Sequence, residues 1–578
     1  LLYSKLKELI MKMSGAEIII RSLEKHGIET VAGIPGGAAL PLYNALFSSG
    51  IKHVLARHEQ GAGFIAQGMA RSTGKPAVCI ATSGPGATNL ITAIADAKLD
   101  SIPLVAITCQ VPLSLIGTDA FQEVDMYGLT LSITKHSILA KTTEELPMII
   151  NDAFRIAQSG RPGPVVVDVP KDILSRIIEI EELPEPAEIC NYSEHSKLPE
   201  KICSAIAQRI NSAKRPVLYA GGGIVASAAF DELKTLAEKN SIPVAVTLMG
   251  LGSFPCDSGL YLGMVGMHGN HSTNIIFDNA DLIICIGSRF NDRTTGVSAH
   301  FGKKADIIHI DIDPSEINKI KKTFISLASD ARSAMEKIIP MIEENNREEW
   351  LETCKEKRAR YDKKHHSISA HPESVIRAVS AAADKDAIIT TDVGQHQMWV
   401  ARNYPFKTGR NFLTSGGLGT MGFGLPAAIG AAIANPDKQV ICFSGDGSIL
   451  MNVQELATLA DLKLNVKIIL LNNGQLGLVR QQQELFYNKN YIATTFITAP
   501  DFPEIAKAFN ITGFGIDSTA PNSMTIEQCM KVPGPVLINV PVQEEYNVYP
   551  MVPPGESNIV MMKGEETENI EPLKKAVS

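Results

Sequence analysis

The feature that most restricts the fold of this chain is an alternation of short apolar runs with longer amphipathic ones, sustained over most of its 578 residues. TVAGIP, KHVLAR, PAVCIATSG and PLVAITC read as strands. Between them AALPLYNALF, GAGFIAQGMARS and TNLITAIADA read as helices, and Ser14 with Glu17 makes a capping-box pattern ahead of a helix that ends near Gly27. Apolar strands separated by helices pair in parallel, with helices over both faces of the sheet. Reactive side chains then belong at the C-terminal ends of strands, where open sheets of this type bind ligands.

The alternation restarts twice, which predicts three α/β domains, each with a mostly parallel sheet covered by helices. The first spans 13–180 and closes with GRPGPVVVDVPKD; the Pro- and Glu-rich stretch 182–200 after it reads as a surface linker. The second spans 200–340 and contains RPVLYAGGG, PVAVTLMG, DLIICIGSRF and ADIIHIDIDP. The charged stretch 343–366 reads as a solvated connection, followed by a third domain over 370–550 with AIITTDVG, QVICFSGDG and VKIILLNN. A C-terminal tail, 551–578, follows, and its Glu-rich part after Pro554 is expected to be flexible. With 45% hydrophobic and 20% charged residues the composition is that of a globular protein. A net charge of -8 offers no footprint for nucleic acid or an anionic membrane, so the expected ligand is small.

The nine cysteines have neither zinc nor CxxC spacing, which fits a reducing, cytoplasmic setting. The opening LLYSKLKELIMK has the character of neither a signal nor a transit peptide, and Met11 or Met13 is a candidate start. No apolar run approaches the ~18 residues of a spanning helix.

The sharpest chemical signal is Gly445-Asp446-Gly447 followed, one helix later, by Asn472-Asn473, each at a predicted strand end. That spacing sets a carboxylate beside an amide oxygen, with glycines that let backbone approach a phosphate. Mg²⁺ takes such oxygen ligands together with ligand phosphates. The plain alternative is a pair of ordinary turns. Gly417, Gly419 and Gly422 also spell GxGxxG ahead of a helix-like GLPAAIGAAI, which imitates a dinucleotide fingerprint, but the acidic residue that should bind ribose sits inside the second Gly-rich turn.

The GDG and NN pair resembles the signature of thiamin diphosphate (ThDP) enzymes. With RHEQGAGF, SGPGATN, SIPLVAITCQVP, IGTDAFQEVD, GRPGPVVVDVPKD, LGMVGMHG, GSRFNDR, IDIDPSEINK, TSGGLGTMGFGLPAA and YPMVPPG in order from about residue 13 to 555, the chain resembles the large catalytic subunits of the acetohydroxyacid (acetolactate) synthase family. LGLVRQQQELFY further resembles the bacterial isozyme I type. The resemblance implies decarboxylation of pyruvate and transfer of its two-carbon unit to a second 2-oxoacid, the first common step of branched-chain amino acid biosynthesis.

By the same resemblance Glu59, at the end of the strand KHVLARH, hydrogen-bonds the ThDP aminopyrimidine and helps remove the thiazolium C2 proton. Val393, Gly394, Gln395, His396, Gly419, Gly445, Gly447, Ser448 and Leu478 contact ThDP, and Met421 is the wedge that bends it; in an apolar stretch a methionine is otherwise core filler. Asp446, Asn473 and the carbonyl of Gln475 hold Mg²⁺. The middle domain resembles the family's FAD-binding domain, with Arg161, Gly221, Gly222, Gly223, Thr247, Leu248, His268, Gly287, Ser288, Arg289, Asp311, Asp313 and Asp330 at its contact motifs; the glycines serve equally as tight strand-to-helix turns.

Arg293 matches the family residue that receives the carboxylate of the second 2-oxoacid, and Phe121, Gln122 and Lys171 match residues lining that pocket, although Phe121 reads equally well as core. Many members carry Met and Trp on the helix after NN; this chain has Leu478 and Gln482, which implies weak preference for 2-oxobutyrate over pyruvate. The resemblance further implies a homodimer with sites at the interface and a small regulatory subunit. The rivals are a pyruvate oxidase or 2-oxoacid decarboxylase on the same fold, a catalytically silent regulatory paralogue, and a nicotinamide dehydrogenase.

Overall fold

The computed structural model describes residues 11–187, 198–362, 371–516 and 524–564. Each restart of the alternation builds its own six-stranded parallel sheet. In the N-terminal domain the strands lie in the spatial order Lys52–Leu55, Thr30–Gly33, Ala77–Ala81, Leu104–Gln110, Val165–Pro170, His136–Leu139. Numbered along the chain that order is 2-1-3-4-6-5. The C-terminal sheet repeats it: Phe412–Leu413, Ile388–Thr391, Val440–Gly445, Val466–Asn472, Val536–Pro541, Thr512–Gly515. The central sheet differs, with Tyr261–Met264, Val244–Val246, Pro216–Ala220, Leu282–Ile286, Asp306–Asp311 and Ile325–Ala328 in the order 3-2-1-4-5-6 of dinucleotide-binding folds.

The pleat sorts the N-terminal strands by size. Val78, Ile80, Val105, Ile107, Val165 and Val167 face one core, with the amphipathic helix Gly15–Lys25 over it. Alternate positions Ala32, Cys79, Ala81 and Ala106 face the other side and share a core with Leu425, Ala428, Ile429 and Leu456 of the C-terminal domain. Small side chains here let the helix Glu59–Thr73 lie deep between the two domains, buried nearly all round. It meets the helix Gly424–Ala434 almost backbone to backbone: a Cβ on Gly430 would stand 1.9 Å from the Ile65 carbonyl oxygen, and one on Gly68 would stand 2.1 Å from that of Ala427.

The capping box at Ser14 and Glu17 forms as the sequence predicts. Three expectations need correction. The strand before Glu59 ends at Leu55, and Glu59 is the first residue of the following helix, whose N-cap is His58. The charged stretch from 343 is more than a solvated connection: Glu348–Tyr361 is a helix that buries Trp350 and Cys354 against the central sheet. Just before it the buried Arg347 guanidinium donates to the carbonyls of Asn240, Ala213 and Ile210, a use of charge that periodicity does not announce. The tail is not free as far as residue 564. Met551 bridges Met562, Ser557 bridges Gly296, and Asn558 donates to the Thr294 carbonyl at 2.6 Å. Residues 1–10, most of the expected linker (188–197, with Cys190) and the tail beyond 564 lie outside the described residues. Among the described residues no helix is long and apolar enough to cross a membrane.

Candidate active site

Open sheets bind ligands where the strand order reverses, which selects one place in each domain. In the C-terminal sheet the reversal lies between Ile388–Thr391 and Val440–Gly445, and the segments after those strands are Asp392–Gln395 and Asp446–Ser448. The structure brings the predicted ThDP and metal residues together here. Ser448 donates its hydroxyl to the Val393 carbonyl at 2.9 Å. Gly394 has φ of 152°, and a Cβ on Gly445 would press on His396 Nδ1 at 3.0 Å, so the bare backbone of both turns is needed. Asn473 Oδ1 accepts from the Gln475 amide at 3.2 Å, and Gln475 Nε2 reaches Glu544 at 2.7 Å.

Three polar atoms at this junction are buried without a partner: Asp446 Oδ2, His396 Nε2 and Gln475 Oε1. Unpaired buried polar groups are costly, and a ligand that carries a cation and hydrogen-bonding groups would satisfy them. Burial raises the Asp446 carboxyl to about 6, against the pull of the Gly447, Gly474 and Gln475 amides. Burial lowers His396 to about 4, so its imidazole is neutral. The donor set of one carboxylate, one amide oxygen and backbone suits a hard cation held against phosphate; among the described residues no trio of His, Cys, Asp and Glu converges as a softer metal would require.

Met421 lies half-buried in the turn before the helix Gly424–Ala434, after Gly419 at φ 73° and before Gly422 at φ 88°. A buried carboxylate missed by the sequence reading organises this corner. Asp392 accepts from the Gly422 amide at 2.7 Å and from the Ser444 hydroxyl at 3.0 Å, tying the Met421 turn to both strand ends. Gln395 turns its side chain inward, donating to Gln481 and the Tyr546 carbonyl, so only its backbone remains for a ligand. Leu478 is half-buried on the helix Gly477–Phe486, and Gln482 is exposed on it.

In the N-terminal sheet the reversal lies between Thr30–Gly33 and Ala77–Ala81. Glu59 is 9% exposed there, and its Oε2 accepts from Asn89 Nδ2 at 2.9 Å. A Cβ on Gly86 would lie 3.2 Å from Glu59 Oε1 and 2.8 Å from Thr82, whose buried hydroxyl has no partner. Asn89 and Thr82 were not singled out from sequence; SGPGATN supplied the segment but no side-chain roles. Gln122, at φ 62°, packs its Cα against Gly84, which places the Phe121-Gln122 turn beside the Glu59 pocket. Phe121 is 88% exposed, which removes its reading as core. Lys171 is exposed just after the strand that ends at Pro170. Among the described residues no hydrogen bond or ion pair joins Glu59 to Asp446, Asn473 or Gln475 of the same chain.

The central reversal lies between Pro216–Ala220 and Leu282–Ile286. Its two turns, Gly221–Gly223 and Gly287–Arg289, touch: the Gly223 amide donates to the Gly287 carbonyl at 2.8 Å, and a Cβ on Gly221 would lie 2.3 Å from that oxygen. Leu248 opens a 3₁₀ turn beside them, capped by the Thr247 hydroxyl. Arg289 donates to the Leu99 carbonyl, and Arg161 pairs with Asp313 and Glu316. Asp311 accepts from the Asp313 amide, and the Asp330 carboxylate caps the helix Ala331–Ile338. The side chains of Thr247, Arg161 and Asp330 therefore already have partners within the chain. His268 is half-buried with its Nδ1 shielded and unpaired, and burial, with Arg402 and Arg293 near, lowers it to about 3. Arg293 stands out toward solvent, its Nη1 3.6 Å from Met267 Sδ and its carbonyl held by the Met267 amide.

Comparison with known proteins agrees with this division. The thiamine pyrophosphate enzyme N-terminal TPP binding domain matches residues 13–129, the central domain 203–338 and the C-terminal TPP binding domain 392–540. The chain is 52% identical to the acetolactate synthase isozyme 1 large subunit of Escherichia coli (strain K12), over 95% of this chain and 98% of that protein. It is 45% identical to the isozyme 2 large subunit of the same organism, over 95% and 100%. It is 43% identical to the acetolactate synthase large subunit of Lactococcus lactis subsp. lactis (strain IL1403), over 94% and 95%. Three reversal points with backbone-lined turns, two of them in TPP binding domains, and near full-length identity to these proteins establish that the chain belongs to the acetolactate synthase large-subunit family of thiamine pyrophosphate enzymes.

Proposed function

We propose that this chain catalyses acetolactate synthesis: one pyruvate loses CO₂ and its remaining two-carbon unit joins a second 2-oxoacid, pyruvate giving 2-acetolactate and 2-oxobutyrate giving 2-aceto-2-hydroxybutyrate. The observation that carries the reading is the group of buried unpartnered atoms, Asp446 Oδ2, His396 Nε2 and Gln475 Oε1, at the C-terminal reversal point. Asp446, Asn473 and the Gln475 carbonyl would hold Mg²⁺ against the diphosphate, with the amides of Gly394, Gly445, Gly447 and Ser448 lining its bed. Bound ThDP would supply a nucleophilic carbon and an electron sink for decarboxylation.

The protein's part is orientation and proton control. Glu59, held by Asn89 in a pocket closed by Gly86, would hydrogen-bond the aminopyrimidine ring nitrogen. Met421, fixed between two glycines, would set the cofactor's bend. Arg293 would take the acceptor carboxylate in its planar fork, with Phe121, Gln122 and Lys171 completing the pocket wall. Membership of the family calls for a homodimer whose sites join the N-terminal sheet of one subunit to the C-terminal sheet of its partner. FAD fits the touching turns at Gly221–Gly223 and Gly287–Arg289 and the unpaired His268 Nδ1, with the side chains of Asp330 and Thr247 serving the protein fold itself. A small regulatory subunit and a cytoplasmic location complete the proposal. The test is to incubate the purified protein with pyruvate, ThDP, Mg²⁺ and FAD and measure acetolactate. The wild type should form it and Glu59→Ala should be severely impaired; unchanged activity in that variant would overturn the assignment of Glu59.

A further inference from the structure

The turn that carries Met421 is gripped by charged residues from outside its own domain. Asp96 and Asp100, on the helix Ile91–Asp100 of the N-terminal domain, have fully enclosed carboxylates, and Arg71, on the neighbouring helix, bridges them at 2.8 and 2.9 Å. All three reach into residues 414–423. Asp96 Oδ1 accepts from the hydroxyls of Ser415 and Thr420, the latter at 3.2 Å, and Ser415 Oγ in turn accepts the Thr420 amide at 2.8 Å. Asp100 accepts the amides of Gly416 and Gly417 at 3.0 and 2.7 Å. Arg71 donates to the Thr414 carbonyl at 2.9 Å and lies 4.8 Å over the Phe423 ring.

Met421 thus sits between Thr420, which the N-terminal domain holds through Asp96, and Gly422, which the C-terminal domain holds through Asp392. The same cluster reaches both sides of Met421, through Thr420 on one and the Phe423 ring on the other. Enclosed carboxylates accepting several hydrogen bonds are worth more than neutral contacts and leave the turn one geometry. We propose that Asp96 is a positioning residue for Met421: acting through Ser415 and Thr420, the N-terminal domain sets the height of the wedge against which ThDP bends in the C-terminal domain. The assignment rests on the ThDP reading of Met421 given above.

Two variants test it. Asp96→Asn keeps shape but sets an amide NH₂ against either Arg71 or the two hydroxyls. Thr420→Val keeps bulk, removes one donor from the turn side and leaves the Arg71 ion cluster intact. In the cofactor-free protein, hydrogen exchange at the amides of 420–422 should quicken about tenfold in both, the loss of one charge-assisted hydrogen bond, while the strand Leu104–Gln110 stays protected. With Mg²⁺ present, the ThDP Kd should rise about tenfold and the near-ultraviolet circular dichroism of the bound cofactor should change, while inorganic pyrophosphate binding stays within about twofold. Unchanged exchange in Thr420→Val, whether or not Asp96→Asn folds, overturns the proposal. So does an equal loss of ThDP and pyrophosphate affinity, which would mark the cluster as general scaffolding. Failure of the wild type to bind ThDP would instead remove the functional reading and leave the exchange result standing.

Discussion

Replacing Gly430 by alanine tests how the two TPP binding domains are held together. The added Cβ would stand 1.9 Å from the Ile65 carbonyl oxygen, 2.8 Å from its carbon and 3.0 Å from the Met69 nitrogen. All three are backbone atoms of a buried helix, so no side-chain rotation relieves the clash. Restoring ordinary contact requires the helices Glu59–Thr73 and Gly424–Ala434 to part by roughly 1 Å or more, and overpacking of this kind costs about 1–3 kcal/mol. Separation also stretches the Arg71 bond to the Thr414 carbonyl, a charged hydrogen bond worth about 1.5–3 kcal/mol. Alanine returns about 1 kcal/mol through helix propensity. The net expectation is a destabilisation of about 2–4 kcal/mol, on the order of 10 °C in the first calorimetric transition, with Gly37→Ala as a control within about 0.5 kcal/mol because its Cβ would meet open space. A Gly430→Ala protein as stable as wild type would refute the close-packed interdomain contact and the reasoning built on it.

Two further outcomes follow from the site. Burial lowers His268 from 6.5 to about 3, so the folded protein keeps it neutral while the unfolded chain takes up a proton near 6.5. Its contribution to stability is complete above pH 6.5 and is lost as pH falls toward 3, at up to about 1.4 kcal/mol per pH unit; His268→Gln should flatten that part of the thermal stability against pH curve, and an unaltered slope would contradict the burial argument. If the proposed acceptor pocket is lined by Leu478 and Gln482, it lacks a large apolar wall, and equal pyruvate and 2-oxobutyrate should give little excess of 2-aceto-2-hydroxybutyrate. A product mixture dominated by that compound would sink the pocket reading.

Much of the fold was legible because its determinants are local. Apolar runs such as VVVDVP and VICFSG can be nothing but buried strands when helices separate them, and strand ends then locate the GDG and NN turns. The shared 2-1-3-4-6-5 order of the first and third sheets was invisible, since strand order is a long-range property that apolar runs do not encode. Charged residues escape for a related reason. Arg347 lies in a stretch that reads as a solvated connection, and nothing in the local pattern marks Arg71, Asp96 or Asp100, yet each is enclosed because its partner comes from another segment or domain. KHVLARH is apolar enough to extend the strand as far as Glu59 on sequence alone; the His58 side chain, accepting the Gln60 amide, starts the helix instead. The tail beyond 554 was read from its glutamates, whereas Asn558 and the Met551 to Met562 bridge hold it near Arg293.

The central claim, that one site is built from Glu59 of one subunit and the Asp446 turn of the other, is tested most directly by mixing two inactive proteins. Glu59→Ala and Asp446→Asn chains, unfolded together and reassembled, give mixed dimers in which one site carries both lesions and the other carries none. Acetolactate formation should recover to about a quarter of the wild-type rate, since half the dimers are mixed and each has one intact site. If the mixture stays as inactive as its two parents while wild type treated identically regains activity, the site does not form across subunits and the account is contradicted.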